Sequence, residues 1–135
     1  MEKIGYYNEE LPTLRFPWAL KVSNIKELIL VSGHADVKMD NSSVHFPKDL
    51  IGQTKFVLNQ ISKSIEKAEC TIDNAIRTEL TVSKKVTDEQ LPELFELLAN
   101  FVKGAKVKPA AGTLRFVDRL IGKDCLIEIE VLLAK

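Results

Sequence analysis

Along the segment "CLIEIEVLL", the odd positions Cys125, Ile127, Ile129, Val131 and Leu133 are all apolar, and Glu128 and Glu130 fall between them. A period of two marks a strand with one face on a core. The even positions Leu126, Glu128, Glu130 and Leu132 then share the opposite face. "NAIRTELTV" repeats the pattern, with Ile76, Thr78, Leu80 and Val82 set against Arg77, Glu79 and Thr81. In "LRFPWALKV" the apolar series is Leu14, Phe16, Trp18, Leu20 and Val22, and Pro17 confines that strand to an edge or a bulge. "LILVSGHADV" reads as a buried strand, and the short turn "SNIKE" before it predicts a hairpin. A strand over residues 112–117 joins the last one through "DRLIGKD" as a second expected hairpin.

Two segments carry the other period. Leu50, Thr54, Val57, Ile61, Ile65 and Ala68 recur every three or four residues, with Ile51 and Leu58 beside them, and Asp49 can cap this helix. A second helix lies near 87–102. Thr87 and Gln90 fit a capping box, while Pro92 favours a start at itself. Its expected buried stripe is Leu91, Leu94, Phe95, Leu98 and Val102, and Gly104 can close it in a left-handed conformation. "KMDNSSVHFPK" is rich in turn formers and reads as the longest loop.

The predicted order is β-β-α-β-α-β-β. Helices on one face of a mixed sheet give an α+β protein, a two-layer α/β sandwich, here as one domain over residues 1–135. Glu128 and Glu130 then lie with Leu126 and Leu132 on a sheet face that no predicted helix covers. An uncovered, partly apolar face meets another subunit, so a homo-oligomer is expected.

Composition narrows the partners. Lys plus Arg equals Asp plus Glu, 19 each, so no basic excess favours nucleic acid. The two cysteines form no CxxC and read as reduced thiols. The start of the chain lacks a signal-like apolar run, and no stretch approaches a membrane span, so a cytoplasmic protein without membrane contact is expected. His34 and His45 are the only histidines, which leaves no metal site in prospect.

Several segments together resemble the RidA/YjgF family, also called the endoribonuclease L-PSP family. They are "PWA" at 17–19, "LILVSGH" at 28–34, "QTKFVLNQISKSIEKAECTIDNAIRTELTV" at 53–82, "KPAAGTL" at 108–114 and "LIEIEVLLA" at 126–134. The resemblance covers about residues 14 to 135. It implies a chorismate-mutase-like fold and a homotrimer with small-molecule pockets between subunits. The better-known members hydrolyse enamines and imines to 2-oxoacids and ammonia, and no cofactor is implied.

The same resemblance supplies candidate site residues. Glu128 matches the family glutamate that handles the proton of water or ammonia, and Glu130 shares its face. Trp18 stands for a tyrosine, keeping the ring and losing the hydroxyl, and either walls a pocket or packs in the core. Gly33 matches a pocket glycine whose backbone can approach a ligand. "KPAAGTL" stands where the family has Pro-Ala-Arg-Ser. Its arginine clamps the substrate carboxylate through a planar fork of donors. Here Ala111 holds that position and Gly112 replaces the serine. Losing such a contact typically weakens binding by roughly 2–5 kcal/mol. A slipped register could bring Thr113 or Arg115 to the pocket instead. On an unbroken strand Arg115 has the parity of Ala111, about 13 Å further along.

The expected ligand-binding set is therefore Trp18, Gly33, Ala111, Gly112 and Thr113, with Glu128 catalytic and no metal. The function expected is a Rid-like trimer with interfacial pockets and without standard deaminase activity. The alternative is an enamine or imine hydrolase that uses Glu128 and an unconventional anchor. RNA cleavage, which the family name carries, is disfavoured by the zero net charge.

Overall fold

The computed structural model describes residues 1–40 and 43–135; Asn41 and Ser42, inside the loop expected at 38–48, lie outside the described residues. The described strands are β1 (Glu2–Tyr6), β2 (Ala19–Ser23), β3 (Leu28–Ala35), β4 (Ala75–Ser83), β5 (Ala110–Val117) and β6 (Ile127–Ala134). The helices are α1 (Leu50–Lys67) and α2 (Leu91–Phe101). β3, β6, β4 and β5 form one sheet in that order, while β1 and β2 form a separate pair.

Two expected hairpins are absent. β2 pairs antiparallel with β1, from Glu2↔Ser23 to Tyr6↔Ala19, and β3 pairs with β6. β5 and β6 are not neighbours, because β4 lies between them and runs parallel to β5. A parallel pair needs a crossover, and α2 supplies it. β6 takes an inner place because its odd side chains are the most apolar row in the chain. Ile127, Ile129, Val131 and Leu133 are at most 3% exposed. Leu126, expected on the opposite face, is buried in the same core.

β1 was not legible as a strand. "EKIGY" offers only Ile4 and Tyr6 as apolar residues, and both are about half exposed. Backbone pairing with β2 holds it, and Lys3 ties the pair to the main body. Its Nζ donates to the carbonyls of Ala75 (3.0 Å) and Val107 (2.9 Å). Burial pushes the Lys3 ammonium below its ordinary pKa, with Asp73 opposing that shift and Lys108 adding to it. The strand expected from Leu14 starts only at Ala19. Pro17 is buried and cannot donate, and the Trp18 N–H goes to the Tyr6 carbonyl at 2.8 Å.

α1 follows its apolar stripe. Asp49 accepts from the Gly52 N–H, as expected of its cap. Leu50, Val57, Ile61 and Ile65 face β3 and β6 through one core that also holds Leu94 of α2. The capping box of Thr87 and Gln90 opens a 3₁₀ turn over Asp88–Gln90, and α2 continues from Leu91 with Pro92 in its first turn. Phe95 departs from the expected stripe and is 48% exposed. Gly104 does not take a left-handed conformation, since no glycine among the described residues has positive φ.

Both helices lie on the β6 face that carries Ile127 and Ile129. The other face bears Leu28 and Leu30, 54% and 75% exposed, with Leu132 opposite Leu30. Among the described residues no helix covers it.

Candidate functional site

The uncovered face gathers its residues through strand register. On β6 it presents Glu128, Glu130 and Leu132. Their β4 partners are Thr81, Glu79 and Arg77. On the other side Ala35 of β3 is the partner of Glu128.

Gly33 and Glu128 come together. A Cβ added to Gly33 would lie 2.1 Å from Glu128 Oε1 and 3.0 Å from its Cδ. The missing side chain thus lets the carboxylate rest on the strand. Glu128 also lies close enough to Cys125 to act on it. Burial, then the charges of Asp36, Glu128 and Asp124, push the Cys125 thiol above its ordinary pKa. Cys125 therefore stays a neutral, hidden thiol rather than a nucleophile. In Gly33→Ala the flexible carboxylate must swing aside, while unfolding free energy should change by about 1 kcal/mol or less. Chemical denaturation beside a ligand titration would check this, and a large stability loss would contradict it.

β5 holds a bulge where the sequence shows "AAGT". Thr78 pairs with Ala111 and Leu80 with Leu114, so β5 spends one extra residue there. The bulge breaks the parity expected of an unbroken strand. Ala111 shares a face with Thr78 and so with core-side Val131, whereas Arg115 pairs with Thr81 and lies on the face of Glu128. Arg115 is thus brought to that face without folding back. Its guanidinium holds Glu79 Oε2 at 3.2 Å, and Arg77 holds Glu79 Oε1 at 2.5 Å.

The space beside Gly112 is filled by that same glutamate. A Cβ on Gly112 would meet Glu79 Cγ at 2.5 Å and the Thr78 carbonyl oxygen at 3.0 Å. Gly112→Ser should cost about 1–3 kcal/mol by overpacking. Most of that loss should vanish in a Glu79→Ala background, which a double-mutant cycle by urea unfolding would measure. Equal costs in both backgrounds would refute the steric link. Thr113 completes the bulge and is exposed.

Trp18 stands at the entrance to β2, outside the four-stranded sheet, and is 62% exposed, so it does not pack in the core. The arrangement missed from sequence is the Arg77–Glu79–Arg115 cluster. The alternation of β4 did place Arg77 and Glu79 on one face, but only the bulge adds Arg115. Also unanticipated is Asp36, fully buried at the end of β3. It accepts from the His45 N–H (3.0 Å), His45 Nδ1 (2.6 Å) and the Phe46 N–H (2.8 Å). Gln53, also fully buried, donates to the carbonyls of Phe46 and Asp124 and accepts from the Leu126 N–H at 2.7 Å. Gln53 thus holds the chain just ahead of Glu128, and Asp36 holds the loop at 45–46 that Gln53 also grips. Among the described residues no group of three or more metal-ligating side chains converges.

The profile of the Endoribonuclease L-PSP family matches residues 12–135. The chain belongs to this family. The fold of this Rid protein is that of YyfB from Yersinia pestis, a protein of unknown function of the conserved Rid family. The two share 22% identity over all of both chains at a TM-score of 0.85. The YjgF gene product of E. coli follows with 22% identity over 84% of each chain and a TM-score of 0.65. Rv2704 from Mycobacterium tuberculosis, of the YjgF/YER057c/UK114 family, shows 20% identity over 99% of this chain and all of its own, at 0.63. These likenesses establish the chorismate-mutase-like fold. Comparison with curated proteins gives no match. No helix among the described residues is long and apolar enough to cross a membrane.

Proposed function

We propose that this Rid protein is a cytoplasmic homotrimer that binds a small molecule in pockets between subunits and lacks the standard imine deaminase activity. The observation that carries this reading is the fate of the carboxylate clamp. Ala111 brings no side-chain donor and lies on the other face, and on the Glu128 face the guanidiniums of Arg77 and Arg115 are engaged by Glu79. A substrate carboxylate would have to compete with an internal one held in place by the sheet. The exposed Leu28 and Leu30, beside the Gly33–Glu128 contact, support burial of this face against other copies. Trp18 can then wall a pocket from the edge, with Gly112 and Thr113 at its rim. No cofactor enters the reading.

The test is turnover of 2-aminoacrylate generated in place. Ammonia release no faster than the uncatalysed reaction is expected. Release well above background, lost in Glu128→Ala, would overturn the proposal. For the assembly, a mass three times the chain's 15.2 kDa is expected at micromolar concentration, and a monomer would contradict it.

A second reading follows from Arg115 lying on the face of Glu128. In it the chain is an enamine or imine hydrolase, Glu128 manages the proton, and Arg115 anchors the substrate after giving up Glu79. It requires that Arg115→Ala raise KM while Glu128→Ala lowers kcat. Identical, inert behaviour of all three proteins would rule it out.

A further inference from the structure

The opposite face of β3 carries a second arrangement with chemistry of its own. The register of β3 on β6 slips between Val31 and His34, a bulge at Ser32 and Gly33. Bulges re-aim the side chain that follows. Here His34, paired with core-side Ile129, turns toward α1 rather than toward Glu128. Its Nε2 lies 3.2 Å from Ser64 Oγ in the last turn of α1, and its Nδ1 lies 2.6 Å from the Ser32 carbonyl oxygen.

That second contact decides the tautomer. A carbonyl oxygen can only accept, so Nδ1 carries the hydrogen and Nε2 presents its lone pair to Ser64. The Ser64 proton has a second acceptor in the Gln60 carbonyl at 3.1 Å, the usual partner of a helical serine. The pair borders an open surface depression of about 390 Å³. Ile29, Val31 and Ala68 give it apolar walls, and Lys67 adds a positive charge one turn beyond Ser64. A nucleophile within reach of a base, a third group that orients the base, and a bordering open depression together make an activated-serine arrangement.

We propose that Ser64 and His34 form a nucleophile–base pair that takes acyl groups from small, uncharged carboxylic esters. Ser64 Oγ attacks the ester carbonyl carbon while its proton passes to His34 Nε2. The negative charge that develops on the carbonyl oxygen is stabilised by the Lys67 ammonium. The bond to the leaving alkoxide then breaks, and the alkoxide takes the proton from Nε2 and departs as the alcohol. The acyl group stays on Ser64 as an ester. Water reverses the sequence, giving its own proton to Nε2, and releases the carboxylic acid. The apolar walls suit a short acyl chain. Ser64 and His34 lie on the helix side of β3, so the fate of the preceding reading does not bear on their chemistry, although Leu30 of the uncovered face lines the same depression.

The test is acetylation by p-nitrophenyl acetate, followed by intact mass and peptide mapping. The wild-type chain is expected to gain an acetyl group on Ser64. Ser64→Ala should lose that label, and His34→Gln should acquire it roughly 100-fold more slowly, the usual contribution of a general base. Circular dichroism and melting of both variants separate a lost fold from a lost base. Label confined to Lys67 or other lysines, label on Ser64 at an unchanged rate in folded His34→Gln, or no label at all would each overturn the proposal.

Discussion

Asp36→Ala should lower the free energy of unfolding by about 3–5 kcal/mol, the largest single loss expected in this chain. The carboxylate is fully buried and receives three hydrogen bonds, two from the backbone N–H groups of His45 and Phe46. Alanine empties a fully buried position and takes the acceptor from both donors, which sit on partly exposed loop residues. His45 also loses the contact that sets its ring against Phe56, where the two centroids are 4.5 Å apart. Asp36→Asn keeps the shape and one acceptor and should lose less, about 1.5–3 kcal/mol. Urea titration would show a lower midpoint at unchanged slope. A loss below about 1 kcal/mol for the alanine variant would mean that the loop relaxes and re-satisfies its donors.

The second large effect belongs to Gln53→Leu, at about 2–4 kcal/mol. Leucine approximates the volume and none of the polarity. The Leu126 N–H and the carbonyls of Phe46 and Asp124 would all lose their partner inside the protein. Because Leu126 leads directly into β6, the change should also loosen Glu128 two residues on, so any ligand binding on that face should weaken along with stability. Asp36 and Gln53 grip the same residue from two sides, Phe46 N–H and Phe46 carbonyl. Their losses should not add. The double variant should fall short of the sum by more than about 0.5 kcal/mol, and strict additivity would argue against a shared strut.

Local periodicity made the elements legible and left their neighbours obscure. The stripe from Leu50 to Ile65 and the alternation from Cys125 to Leu133 each reflect one buried face, and burial is written residue by residue. Strand order is not. Nothing in "GTLRFV" or "CLIEIEVLL" records that β4 separates them, because pairing depends on the crossover made by α2. The bulges at Ser32–Gly33 and Gly112–Thr113 were equally hidden. Each is a single extra residue, and each reverses which face the next side chain joins. That is why Arg115 was assigned the parity of Ala111. Gly112 was visible as a gap, but its filling came from Glu79 on another strand. Asp36 and Gln53 were hidden for the opposite reason. Polar residues at the end of a strand and on a helix look solvated until the fold supplies their partners.

The place of β6 has a consequence for how the chain reaches its folded state. It is the last of the described strands to be synthesised, yet both β3 and β4 depend on it for hydrogen bonding. Until residues 127–134 have emerged, β3 has no partner in the four-stranded sheet, and α1 has only half a surface to lie on. Assembly therefore waits for contacts roughly a hundred residues apart in sequence, such as Leu30 with Leu132. During that wait, the edge of β3 and the apolar side of α1 stand open to other nascent chains, a window in which a helper that shields sticky segments would raise the yield.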